Sequence, residues 1–288
     1  MRGFGVLRTS GAAPVRAVDH WTAADTEAVG CCMCGVGGDP LYHDDPFAVV
    51  QCASCSLVFV SPRLTGTALQ RLYDAPSYFE RGVYGAQARW SPQMVLQRTW
   101  MAARLTAITR RRPPPGRLLE IGSGYGLFLE RARDAGYDVH GVELSATASS
   151  HATRLGLDVF GGQLAQAPTA PADVICFWDT LEHVPDPLDF LRQVRRRLAP
   201  GGIFALSVPN VASAPARALG ARWWTLKPEQ HIWHFSPRTL RSLASAAELE
   251  ITTLVTSPLR RPNAGRTDSL FAIGRAAPGR PAPGREDR

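Results

Sequence analysis

From residue 117 onward the chain alternates short apolar runs with longer amphipathic stretches. The runs at 118–121, 139–142, 173–178 and 203–208 are each about strand length and end at glycine or an acidic residue, which predicts buried strands. Between them the apolar positions space out at helical intervals. Leu188, Leu191, Val194 and Leu198 form one face behind Asp186-Pro187, an N-cap and first-turn pair, and Pro200-Gly201-Gly202 stops the helix. A further helix is predicted from Pro237 to about Ala247, then strands at 251–255 and 270–273. Strand and helix in strict alternation predict an α/β domain built on a parallel sheet. The last two strands lie too close in sequence for a crossover helix and should pair antiparallel.

The first third of the chain reads differently. Short strands are predicted at 49–50 and 57–60, and residues 63–111 carry helical periodicity interrupted by Tyr73, Tyr78, Phe79 and Tyr84. Those aromatics offer either a lid or packing against the main domain. Pro113-Pro114-Pro115-Gly116 breaks the helix at the entry to the α/β region. The predicted organisation is a flexible N-terminus over 1–28, a small cysteine-bearing segment over 29–62, a helical linker or lid over 63–114, the α/β domain over 115–275, and a disordered Pro/Gly/Arg tail over 276–288.

The first apolar run of the α/β domain ends in Glu120-Ile121-Gly122-Ser123-Gly124-Tyr125-Gly126, a strand entering a three-glycine turn ahead of a helix. The dinucleotide fingerprint needs G-x-G-x-x-G, and its last glycine position holds Leu127. Glu120 also sets a carboxylate where a phosphate would approach, so the ligand should bring amine donors or positive charge. S-adenosylmethionine meets that requirement. Glu143 closes the next strand, 17 residues after Gly126, where an acid can accept both ribose hydroxyls.

These motifs resemble those of the class I S-adenosylmethionine-dependent methyltransferases over about residues 115–275. The resemblance implies a seven-stranded, mostly parallel Rossmann-like sheet with helices on both faces. It also places Ser123, Leu144, Leu164 and Asp179 along the cofactor. Gly161-Gly162-Gln163-Leu164 stands where the family usually shows Gly-Asp-Leu, so Gln163 would meet the adenine amino group through its amide oxygen. Asp179-Thr180-Leu181-Glu182-His183-Val184-Pro185-Asp186-Pro187 resembles the family's D-x-L-E-H-x-x-D-P segment.

Four of six cysteines form Cys31-x-x-Cys34 and Cys52-x-x-Cys55 with 17 residues between the pairs, the spacing of a four-thiolate zinc site. Gly35 follows the first pair and supplies a permissive dihedral; Ser56 stands in the equivalent place after the second. A site of four thiolates has no open coordination position, so the expected zinc is structural and the segment ribbon-like. Cys32 is then a spare thiol, and Cys176 inside an apolar run reads as buried and inert.

The net charge of +7 and pI near 9.4 raise the question of nucleic acid. Lys227 is the only lysine, and the arginines cluster at 110–112, at 195–197 near a helix end, and in the tail. Such clusters suit solvated faces and helix C-termini. No run reaches the length of a membrane span, and the N-terminus has no apolar core suited to secretion, so a cytoplasmic protein without membrane contact is expected.

Methyl transfer to oxygen or nitrogen needs an aligned acceptor and removal of its proton. His183, just beyond the fourth strand, is one candidate base. If 179–183 forms a helical turn, Asp179, Glu182 and His183 share a face, which suits either hydrogen bonding or a second, divalent metal. His231 and His234 are the others, in Trp223-Trp224-Thr225-Leu226-Lys227-Pro228-Glu229-Gln230-His231-Ile232-Trp233-His234-Phe235-Ser236-Pro237, which resembles a family W-W-x-x-x-P-E-H-x-x-H-F-S-P stretch and falls where the fold inserts its acceptor pocket. The combined reading is a methyltransferase acting on O, N or C of a small molecule, in specialised-metabolite or sugar modification. An rRNA methyltransferase using the ribbon for RNA, and a non-catalytic cofactor-binding module, are the alternatives.

Overall fold

The computed structural model describes residues 21–74, 92–256 and 268–278. The expectations for residues 1–20, for Tyr78, Phe79 and Tyr84, and for the tail beyond residue 278 lie outside the described residues.

The α/β domain is a seven-stranded sheet in the order β12-β13-β10-β9-β6-β7-β8. Its members are β6 (Arg117–Ile121), β7 (Asp138–Glu143), β8 (Asp158–Gly161), β9 (Ala172–Trp178), β10 (Leu198–Pro209), β12 (Leu249–Val255) and β13 (Ser269–Ala276). Five strands run parallel, and β13 pairs antiparallel with both β10 and β12, as the short connection between the last two strands required.

Strand period divides the core into two layers. Along β9, Ile175 and Phe177 point into one layer, which holds α4 (Pro187–Arg197) and α5 (Pro237–Ala246); Val174, Cys176 and Trp178 point into the other, which holds α2 (Pro92–Thr109) and α3 (Leu127–Asp134). The cap expected at Asp186 forms, its carboxylate accepting the Asp189 N–H at 2.9 Å. The helix ends at Arg197, earlier than the apolar stripe suggested. Leu198 instead opens β10, with a register shift before Ile203 that carries the Pro-Gly-Gly turn.

The cysteine-bearing segment supplies β1 (Thr26–Glu27), β2 (Gly38–Asp44), β3 (Phe47–Cys52), β4 (Val58–Val60) and β5 (Arg63–Leu64), followed by α1 (Gly66–Asp74). Its main sheet has the order β11-β4-β3-β2, where β11 (Trp233–His234) comes from the far end of the chain. Cys31, Cys52, Leu57 and Phe59 share a core with Leu119, Phe177 and Leu206 of the large sheet. On the opposite side Phe47, Val49, Val58 and Val60 pack with Trp21, Leu69 and Leu72.

Candidate functional site

The cofactor turn is built at the carboxyl edge of β6 and β7. Gly122, Gly124 and Gly126 all have positive φ, +74°, +54° and +82°, a region that residues with a Cβ enter only with strain. A Cβ on Gly122 would lie 2.7 Å from the Thr180 hydroxyl, so that glycine also allows β9 to approach. The turn is anchored by Gly122 N–H donating to Val142 O at 2.8 Å, and Gly126 serves as N-cap of α3.

Glu143 is 8% exposed and oriented by two backbone donors: Gly124 N–H to one carboxylate oxygen at 2.7 Å, Ser145 N–H to the other at 2.8 Å. Burial raises its pKa, opposed by those hydrogen bonds. Glu120 is 3% exposed, and its Oε2 has no hydrogen-bond partner among the described residues. Burial pushes its carboxyl well up; the Arg104 guanidinium pulls the other way. The Ser123 hydroxyl is likewise buried without a partner. A turn with three donor-rich glycines, a held carboxylate and two unmatched buried oxygens fits a polar ligand bearing amine and hydroxyl donors. Leu144 lies exposed beside Glu143, Leu164 is buried, and Gln163 is exposed at the start of a short 3₁₀ turn.

Arg104, on α2, escaped sequence analysis. Its guanidinium lies over the Trp178 ring at 4.7 Å and donates to Asp179 at 3.2 Å and to the Ser207 hydroxyl at 2.8 Å. One arginine among many carries no sequence signal; only the packing of α2 across the strand ends selects it. It also corrects the grouping expected at 179–183. Asp179 has a left-handed φ of +50°, which breaks the turn there, and its carboxylate goes to Arg104 and Ser207.

The 3₁₀ turn Leu181–His183 instead brings Glu182 and His183 to His231, with one ligand-type atom of each within 4.8 Å of the others. The His183 and His231 rings meet edge to face, centroids 4.7 Å apart. Glu182 is fully buried and neither carboxylate oxygen has a hydrogen-bond partner among the described residues; burial first, then Asp179, pushes its pKa well up. Burial also lowers His183 to about 4 and His231 well below the ordinary range, so both rings are neutral at pH 7. His231 Nδ1 lies 2.7 Å from Thr225 O. A carbonyl only accepts, so Nδ1 carries the proton and Nε2 holds the lone pair.

His234 is not in this group. It is 1% exposed in β11 beside Trp223, with both ring nitrogens unpartnered. Trp223 and Trp233 are buried, and Trp224 is 44% exposed.

The four cysteines converge. Their sulfurs lie within 4.8 Å of one another, and Cys31 Sγ and Cys55 Sγ are 3.5 Å apart. A tetrahedral zinc–thiolate site with bonds near 2.3 Å puts its sulfurs about 3.8 Å apart, so the set fits that ion. The two knuckles share one geometry. Gly35 N–H donates to Cys31 O and Ser56 N–H to Cys52 O, while Cys31 and Cys52 donate to Val36 O and Leu57 O. Ser56 takes φ +64° against +70° at Gly35, the same left-handed turn despite its side chain.

Among the described residues, several of the clustered arginines have partners within the chain. Arg112 pairs with Asp173 at 2.5 Å, Arg195 with Glu248 at 3.2 Å, and Arg197 donates to Thr169 and Leu164 O. No helix among the described residues is long and apolar enough to cross a membrane.

Residues 95–254 match the family described as "Methyltransferase domain". The chain belongs to the class I S-adenosylmethionine-dependent methyltransferases. Among curated relatives of this methyltransferase, the ubiquinone biosynthesis O-methyltransferase of Caulobacter sp. (strain K31) is 32% identical over 152 residues, 47% of this chain and 60% of that one. That of Caulobacter vibrioides is 35% identical over 142 residues, 43% and 56% of the two chains. The methyltransferase thus matches somewhat over half the length of these relatives. Among solved structures, magnesium protoporphyrin IX methyltransferase from Synechocystis PCC 6803 shares the fold with a TM-score of 0.58 at 14% identity, covering 73% of this chain and 99% of that one. The 1,6-didemethyltoxoflavin-N1-methyltransferase of Burkholderia thailandensis, solved with S-adenosylhomocysteine, does so at 0.56 and 20% identity, covering 83% and 100%.

Proposed function

We propose that the protein transfers a methyl group from S-adenosylmethionine to a hydroxyl oxygen of a small-molecule acceptor. The observation that carries this reading is the neutral His231, its Nε2 lone pair free of the Thr225 bond, beside buried Glu182 and His183 at the carboxyl edge of the sheet. Bound cofactor supplies an electrophilic methyl group on a sulfonium. Glu143, held by Gly124 and Ser145, is the acceptor for the ribose hydroxyls, and Glu120 with the Ser123 hydroxyl faces the amine-bearing end.

An acceptor hydroxyl must lose its proton as the new C–O bond forms. His231 takes that proton at Nε2, and the Thr225 carbonyl stabilises the resulting imidazolium through Nδ1–H. Glu182, buried beside it with its carboxyl pushed toward the protonated form, offers a neutral hydrogen-bonding group next to the acceptor. The names of the curated relatives favour oxygen over nitrogen or carbon. Those names speak of ubiquinone rather than of specialised metabolites or sugars, and Arg112 and Arg195 are paired with carboxylates of this chain.

The four-cysteine group is the place for one structural zinc ion, which closes both knuckles and leaves no position for substrate. Incubation with methyl-labelled cofactor and a panel of phenols, catechols and polyols tests the activity. The expected result is label on oxygen in at least one class. Binding of S-adenosylhomocysteine without transfer to any hydroxyl, but with transfer to amines or carbon, would overturn the oxygen assignment.

A further inference from the structure

The metal knuckles and the Glu182–His183–His231 group stand on one continuous run of hydrogen bonds. Cys52 closes its knuckle on Leu57 O, and β4 begins at the next residue. β4 pairs antiparallel with β11, Phe59 opposite Trp233 and Val58 opposite His234. Beside that pair, Val60 N–H donates to Ile232 O at 3.0 Å, and Ile232 N–H donates to Glu182 O at 2.9 Å. Ile232 directly follows His231.

A second set of struts runs alongside. The Trp233 indole N–H donates to Val184 O at 2.8 Å, and its ring centroid lies 5.7 Å from that of Phe59. Arg63 sits over the same ring at 5.8 Å and donates to Pro185 O at 2.8 Å. The loop carrying Glu182 and His183 is therefore braced by residues that are themselves held by the cysteine segment. A strand of two residues has too little pairing to persist without such support. The cofactor cradle is held by its own backbone bonds on β6 and β7, with Leu119 of β6 sharing side-chain packing with the cysteine segment.

We propose that the four-cysteine knot is a positioning device for the acceptor side of the active site, with Trp233 as its link to the Glu182–His183 loop. This rests on the reading of Cys31, Cys34, Cys52 and Cys55 as a zinc site. Metal binding supplies the folding energy of a segment too small to hold alone. With the metal in place β4 is fixed against β11, and the spacing of His231 from Glu182 is set. Without it, the opening is local and spreads along the struts to 182–185 and 231–234, sparing the cradle.

Hydrogen exchange on the full-length protein, zinc-loaded and then stripped by chelator under reducing conditions, tests this. Amide protection at 58–60, 182–184 and 231–234 should fall tenfold or more together with that of 29–57. Protection at 117–126 and 138–145, and affinity for S-adenosylhomocysteine, should stay within threefold. A loss confined to 29–57, or one that runs equally through 117–145, overturns the inference. Elemental analysis of the same samples separates the two levels: no zinc in the loaded protein removes the metal reading itself, whereas zinc with unaltered exchange at 231–234 removes only the positioning role. Trp233→Phe keeps an aromatic ring there but deletes the N–H donor together with part of the indole. It should retain zinc and still lose protection at 182–184; unchanged protection there would also overturn the proposal.

Discussion

His183 and His231, from segments far apart in sequence, meet edge to face with ring centroids 4.7 Å apart, and the fully buried carboxyl of Glu182 lies beside them. Two neutral imidazoles and a carboxyl pushed toward its protonated form make a group with little net charge and several unused hydrogen-bonding atoms. Such a group suits an uncharged hydroxyl, because none of its three members is itself a cation.

His231→Ala should lower turnover on a hydroxyl acceptor by about 100- to 10,000-fold, with cofactor affinity nearly unchanged, since only the transition state needs the proton moved. Glu182→Gln keeps the shape and, because the carboxyl is already pushed toward its neutral form, should cost less, on the order of 10-fold or below. Steady-state rates paired with calorimetry of S-adenosylhomocysteine binding provide the check. Full turnover in His231→Ala would remove the base assignment.

Glu143→Gln places an amide donor against either Gly124 N–H or Ser145 N–H and removes the charge proposed to accept the ribose hydroxyls. The expected loss is about 1.5–3 kcal/mol, roughly 10- to 100-fold in cofactor affinity. An unaltered dissociation constant would exclude Glu143 from the ribose contact.

His234 gives a pH prediction. Burial lowers its folded pKa to about 4, whereas in the unfolded chain it titrates near 6.5. Between those values the unfolded state binds the proton and the folded state does not, so stability falls as pH drops from about 6.5 to about 4 and is steady below. The full swing for this one side chain is about 3 kcal/mol. His234→Phe should therefore lose about 2–3 kcal/mol less than the parent between pH 7 and pH 4 in urea unfolding. The raised carboxyls of Glu120, Glu143 and Glu182 act in the opposite sense, and they cancel in this comparison. Equal acid sensitivity of the two proteins would show that His234 takes up its proton without leaving the fold.

A packing test lies in β13. A Cβ on Gly274 would stand 2.3 Å from Glu250 O and 2.4 Å from the Phe204 ring, a backbone and an aromatic that cannot both yield. Gly274→Ala should cost about 3 kcal/mol or more by the overpacking rule. Gly37→Ala, whose Cβ meets nothing within 4 Å, is the control and should stay within about 0.5 kcal/mol. Thermal unfolding of the pair decides whether β12 and β13 are as tightly joined as their register implies.

The cofactor turn was legible from residue types alone because its requirements are local: three positions that need positive φ, an acid at one strand end, an acid at the next. The order of strands and helices was legible for the same reason, since burial on one or both faces imposes its period on consecutive residues. The two knuckles follow likewise from ligand spacing, and Ser56 shows that the metal-type turn tolerates a residue that glycine statistics disfavour. What sequence could not determine is which distant segments meet. Trp233–His234 is too short to carry a strand period, and it becomes β11 only because β4 offers an unpaired edge beside it. Arg104 belongs to the site only through the seat of α2, and His231 joins Glu182 and His183, leaving Asp179 aside, because one backbone hydrogen bond from Ile232 fixes that register. Local preferences are written in neighbouring residues. Contacts across some 50 positions are chosen by the packing of the whole, where burial and backbone satisfaction are settled together.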